Sequence, residues 1–146
     1  MRLSLATRRW LARITAPRRR KPAGKKRHAA PALKAPRLRL LGTRGKLRIY
    51  EVDGLAVRKK EIAYTMGGHD LVYPGLVPRN EVWIDNALGK LDQDYTTLHE
   101  LHERRLMATK GMDYDDAHEY ANAIEQKYRK ANGRGLAAAL RLERGY

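Results

Sequence analysis

The sequence predicts an α+β domain, a small antiparallel sheet followed by a helical hairpin, behind a disordered basic N-terminal arm. Three observations predict it. Charge is segregated: residues 1–50 hold 17 of the 31 Lys/Arg and no acid, whereas residues 51–146 hold the other 14 and all 16 Asp/Glu. From Leu47 to Lys60 apolar and polar residues alternate, the period of a half-buried strand. From Gln93 the period lengthens to that of a helix and is interrupted once, at Lys110-Gly111. The expected organisation is an arm over 1–45 and a domain over 46–146.

Within the arm, residues 2–15 place Leu3, Leu5, Trp10, Leu11 and Ile14 among arginines and suit a short helix. Pro17, Pro22, Pro31 and Pro36 then break any helical run. Like charges at this density repel, and little apolar surface is available to offset chain entropy. The basic run Arg18, Arg19, Arg20, Lys21, Lys25, Lys26 and Arg27 is expected to neutralise phosphates of nucleic acid or another polyanion, with steep salt dependence. No aromatic interleaving or base-reading motif points to sequence-specific binding. An Arg-rich, acid-free arm also reads as an organellar targeting peptide, as an anchor to an anionic membrane surface, or as a solvated tail.

Composition excludes further classes. The chain has no cysteine, which rules out disulfides and thiolate metal sites and suits a reducing, cytoplasmic setting. No run of 18 apolar residues exists, so no membrane span is expected.

The domain's elements follow in order. Asp53-Gly54, between two alternating runs, predicts a hairpin of strands 47–52 and 55–60. Gly67-Gly68 and the stretch Pro74 to Pro78 mark loops, with a short strand near 70–73 between them. "EVWID", residues 81–85, reads as a strand with Val82 and Ile84 on one face and Trp83 on the other; Trp83 and Tyr73 belong to the core. Residues 93–108 read as a helix capped by Asp92 or Asp94 and ended by Gly111. Asp113 begins the next helix, which runs to about Lys130 with an apolar stripe of Ala117, Ala121, Ile124 and Tyr128. Asp115 and Asp116 favour its first turn through the helix dipole. Asn132-Gly133 closes it, and "LAAALRLER" suits a short terminal helix.

The hairpin gives one short motif its geometry. "HELHE", residues 99–103, puts His99 and Glu103 at i, i+4, on one face and about 6 Å apart along the axis. Glu103 and His118 lie equally far from a turn centred between Lys110 and Gly111, so they are level on antiparallel helices. If the shared face looks toward the second helix, His99, Glu103 and His118 converge. Two imidazoles and one carboxylate are a common catalytic zinc set, and with open positions they also suit iron. Glu100, beside the first ligand, is placed as the general base for a water activated by the metal. His69, after two glycines, is a further candidate as fourth ligand, substrate-polarising group or loop histidine. His102 is a second further candidate, as an i, i+3 partner of His99 in an alternative ligand pair. The strand "EVWID", just before the helix, is placed to hold an extended peptide by edge pairing. The same histidines and carboxylates also read as a salt-bridged face, with His118 and Glu103 an ion pair between helices.

"HELHE" resembles the HExxH helix of zincin metallopeptidases. His99 matches the first ligand and Glu100 the base; Glu103 stands where those proteins have their second histidine, and His118 stands for the downstream third ligand. The resemblance implies a zinc-dependent peptide hydrolase. More broadly, "VPRNEVWID" together with "LHELHERRLMATKGMDYDDAHEYA" makes residues 48–125 similar to a group of small uncharacterised proteins of phage, prophage and bacterial genomes. That similarity implies an intact domain and no particular activity. The leading expectation is therefore a metal-dependent hydrolase tethered by its basic arm to a polyanion. The rival is a noncatalytic phage or mobile-element accessory protein that binds nucleic acid through the arm. A nucleic-acid-processing metalloenzyme ranks below both, because it needs more carboxylates than the sequence places together.

Overall fold

Strands β1 (Arg37–Arg44) and β2 (Leu47–Val52) form an antiparallel hairpin in the computed structural model, which describes residues 33–146. The expected arm helix and the basic run Arg18 to Arg27 lie outside the described residues. The last part of the expected arm is instead β1. Its arginines have specific partners: Arg37 donates to the buried Glu81 carboxylate through Nε at 2.8 Å and Nη2 at 2.9 Å. The Arg37 guanidinium also lies over the rings of Tyr50 and Trp83. A buried acid is retained where a cation and directed hydrogen bonds satisfy it.

The Asp53-Gly54 hairpin does not form. Asp53 instead caps helix α1 (Gly54–Arg58), its side chain accepting from the Ala56 N–H at 3.0 Å. The side-chain oxygen that suits Asp to a turn also satisfies a free N–H at a helix start. With 55–60 removed from the sheet, β2 pairs with β1 on one side and with strand β4 (Glu81–Asp85) on the other.

The α+β class holds, with a mixed sheet rather than a wholly antiparallel one. Its order is β1-β2-β4-β3, with β2 and β4 parallel from Arg48↔Glu81 to Val52↔Asp85. Strand β3 (Gly67–His69) runs antiparallel to β4. The strand expected near 70–73 thus lies a few residues earlier, on the two glycines. Central β4 has neighbours on both sides and offers no free edge to a peptide, so the edge-pairing expectation for "EVWID" fails.

The two faces of the sheet are packed separately. Tyr50, Val52 and Trp83 pack with Val57 of α1, Tyr64 and Val77 on one face. Leu47, Ile49, Val82 and Ile84 pack with Leu101 on the other. The alternation of Val82 and Ile84 against Trp83 is the one the sequence predicts. Leu101 comes from helix α2 (Lys90–Lys110), which starts at Gly89 and so begins before the expected Asp92 or Asp94 cap. Those aspartates are surface ion-pair partners instead: Asp92 lies 2.7 Å from Arg129, and Asp94 pairs with Lys90.

Gly111 ends α2 in the left-handed conformation, φ 64°. Asp113 caps helix α3 (Tyr114–Lys130), its side chain accepting from the Asp116 N–H. Ala117 and Ala121 are fully buried, and their small side chains let α3 approach α2 closely. Helix α4 (Leu136–Leu142) adds Leu136 to a third apolar cluster with Tyr95, Leu98, Ile124 and Tyr128. Helix α2 is therefore covered by the sheet, α3 and α4, and His99, Glu100, Glu103 and Arg104 are buried with its apolar residues. No helix among the described residues is long and apolar enough to cross a membrane.

Candidate metal centre

Buried ionisable groups are costly unless paired, so their partners define the site. Arg104 is accounted for by Asp70, at 2.6 and 2.9 Å. Of the other buried ionisable groups, His69 and His99 meet at Glu103, which is 2 % exposed.

Across the helical hairpin, His118 Nδ1 lies 2.7 Å from Glu103 Oε2. His99 Nε2 lies 3.4 Å from the same oxygen and 3.2 Å from His118 Nδ1. The other carboxylate oxygen, Oε1, faces His69 Nε2 at 3.0 Å. The three residues expected to converge do so, and His69 joins them from β3. The donor atoms of His99, Glu103 and His118 lie within 4.8 Å of one another, as do those of His69, Glu100 and Glu103. Donors about 2.0–2.1 Å from a tetrahedral ion stand about 3.3 Å apart. Two edges of the first triad, at 3.2 and 3.4 Å, match that spacing, whereas the third, His118 Nδ1 to Glu103 Oε2 at 2.7 Å, is a hydrogen-bond distance that would have to lengthen around an ion.

His102 is not part of this group. Its Nδ1 faces Glu143 Oε2 at 3.0 Å, and Arg105 approaches both side chains. A residue one position before Glu103 points about 100° away around the helix, so His102 meets the segment after α4 and the His99–His102 ligand pair does not form.

Glu125 was not anticipated. Its Oε2 lies 2.9 Å from His99 Nδ1. The contact is ionic rather than a directed hydrogen bond, because His99 Nδ1 has no aligned acceptor. The sequence carries a signal for it: Glu125 follows His118 by seven residues, two turns along the same face of α3.

The electrostatics follow from crowding three imidazoles and three carboxylates out of water. Burial pulls His99 down, but the Glu103 and Glu125 carboxylates outweigh it and push the imidazole up to about 10. Burial raises Glu103, yet hydrogen bonds from His69, His99 and His118 hold it down at about 2. Glu100 has no such partners among the described residues. Burial pushes its carboxyl up to about 8, against the pull of His99 and with the help of Glu103 and Glu125. Gly67 makes room for it: a Cβ there would stand 2.9 Å from Glu100 Oε1 and 2.8 Å from Thr96 Cγ2.

The site has one open side. His118 is 39 % exposed at its side chain, and the Tyr114 ring lies beside it with centroids 5.1 Å apart. The arrangement therefore brings together three donor groups that could hold a metal ion, one of them partly exposed at His118, beside a buried carboxyl group of raised proton affinity. No family model matches the chain, and no curated protein or solved structure matches it either.

Proposed function

We propose that His99, Glu103 and His118 hold a divalent metal ion, zinc before iron, and that the protein is a metal-dependent hydrolase acting on peptides. The single observation that carries this reading is the donor triangle of 2.7, 3.2 and 3.4 Å on two facing helices. His99 and His118 would hold the ion through unprotonated ring nitrogens, the only form in which imidazole ligates, and Glu103 through its carboxylate. When bound, the metal polarises a carbonyl and lowers the pKa of water to about 7. Glu100 then takes the proton of the attacking water and returns it to the leaving amine, a role that its elevated proton affinity supports. The basic arm tethers the enzyme to nucleic acid or another polyanion inside the cell.

The test is cleavage of a mixed peptide library by the zinc-loaded full chain. Cleavage that stops with a chelator and returns with zinc supports the reading. Bound zinc without cleavage restricts the protein to metal binding.

A second reading also has an observation in its favour. The histidines and carboxylates already pair with one another, so the cluster can serve as a polar clasp between α2, α3 and β3. The protein is then a noncatalytic accessory factor of a phage or mobile element that works through its arm. Removing the arm abolishes its function, and Glu100→Gln leaves that function intact.

A further inference from the structure

The structure assigns His69 the role of a positioning residue that holds Glu103 by one oxygen and so presents the other to His99 and His118. The inference rests on the metal-binding reading above and adds a residue on a different element of the fold.

His69 is fully buried on β3, opposite Val82 of β4. Its backbone is fixed on both sides: the strand pairing precedes it, and its carbonyl accepts from the N–H groups of Val72 and Tyr73 at 3.1 and 3.0 Å. The ring is oriented by the Leu71 N–H, which donates to His69 Nδ1 at 3.3 Å. A nitrogen that accepts carries no proton, so the ring proton sits on Nε2. Nε2 faces Glu103 Oε1 at 3.0 Å and therefore donates to it.

This tautomer separates two roles that the distances alone leave together. As a metal ligand through Nε2, His69 would need its proton on Nδ1, directed at the Leu71 N–H. The Leu71 N–H would lose its acceptor and meet another donor, an unfavourable arrangement. As a hydrogen-bond donor through Nε2, His69 keeps Nδ1 free to accept from the Leu71 N–H. It also occupies Oε1, so that the buried Glu103 carboxylate keeps Oε2 toward His99 and His118. Groups that orient a ligating carboxylate in this way typically contribute about 10–100-fold to metal affinity.

The test measures zinc affinity by chelator competition, with stoichiometry by elemental analysis, on the full chain and on His69→Ala, His69→Asn and His69→Gln. The Gln amide nitrogen occupies the same place along the side chain as His Nε2, whereas Asn ends one atom short. The expected result is one zinc equivalent in every chain, with affinity about 10–100-fold weaker in Ala and Asn and largely restored in Gln. If the Ala chain does not fold, the Asn–Gln comparison carries the test. Unchanged affinity in Asn and Ala overturns the assignment. Two equivalents in the parent chain, one of them lost in His69→Ala, also overturn it by making His69 a ligand. No zinc in the parent chain sinks the metal-binding reading itself and this inference with it.

Discussion

His118 Nδ1 and Glu103 Oε2 stand 2.7 Å apart, on two packed antiparallel helices joined by the turn at Gly111. Glu103 is buried and His118 is half open to solvent, so the pair connects the interior of the domain to its surface.

Zinc should stabilise the fold. An ion that binds the folded chain alone adds about 2.7 kcal/mol at 100 times its Kd. For a chain of this size that is about 5–10 °C in Tm. Thermal melts with and without zinc check this. The shift should vanish in His118→Ala, which removes a partly exposed ligand and leaves most of the core untouched.

Glu100→Gln should separate binding from chemistry. The carboxyl accepts no hydrogen bond from the described residues, so the amide replaces it at little cost to the fold. Zinc content should stay at the parent level, and peptide cleavage should fall by about 10²–10⁴-fold, the usual contribution of a general base.

Gly67→Ala should act on the same carboxyl from the opposite side. The added Cβ meets Thr96 Cγ2 at 2.8 Å and Glu100 Oε1 at 2.9 Å. Thr96 is β-branched and stiff, so Glu100 is the group that gives way. A loss of about 1–3 kcal/mol, typical of overpacking, is expected in urea melts, together with slower cleavage.

Glu143 should make stability depend on acid. Burial alone would raise its carboxyl, but hydrogen bonds from His102 and Arg105 hold it at about 2, below its ordinary value of 4.5. A carboxyl whose folded pKa is depressed contributes stability that is present above 4.5 and lost as pH falls toward 2. Glu143→Gln should therefore destabilise the protein clearly at pH 7 and much less near pH 2. Urea melts of both chains at the two pH values give the comparison.

The helical half of this architecture was legible because its signals are local. Gly111 and Asp113 bracket the hairpin turn, and the i, i+4 spacing of His99 and Glu103 fixes a shared face before any contact is known. The sheet was less legible because its decisive pairing is not local. Nothing near Val52 says that its other partner strand begins at Glu81. Asp53-Gly54 is ambiguous between turn and helix cap, and β1 was hidden because its leucines alternate with arginines that look like more of the basic arm. His69 was visible only as a histidine after two glycines; its neighbour Glu103 is supplied by the packing of β3 on α2. Glu125 was not legible: its two-turn spacing to His118 gains meaning only once His99 is known to lie between the helices.

The most direct measurement of the central claim is the metal content of the purified, zinc-reconstituted full chain, beside His99→Ala and His118→Ala. The account predicts about one equivalent in the parent chain, by the single donor triad described above, and loss of that equivalent in both variants. A folded parent chain that retains no zinc, or a zinc content indifferent to both substitutions, contradicts it.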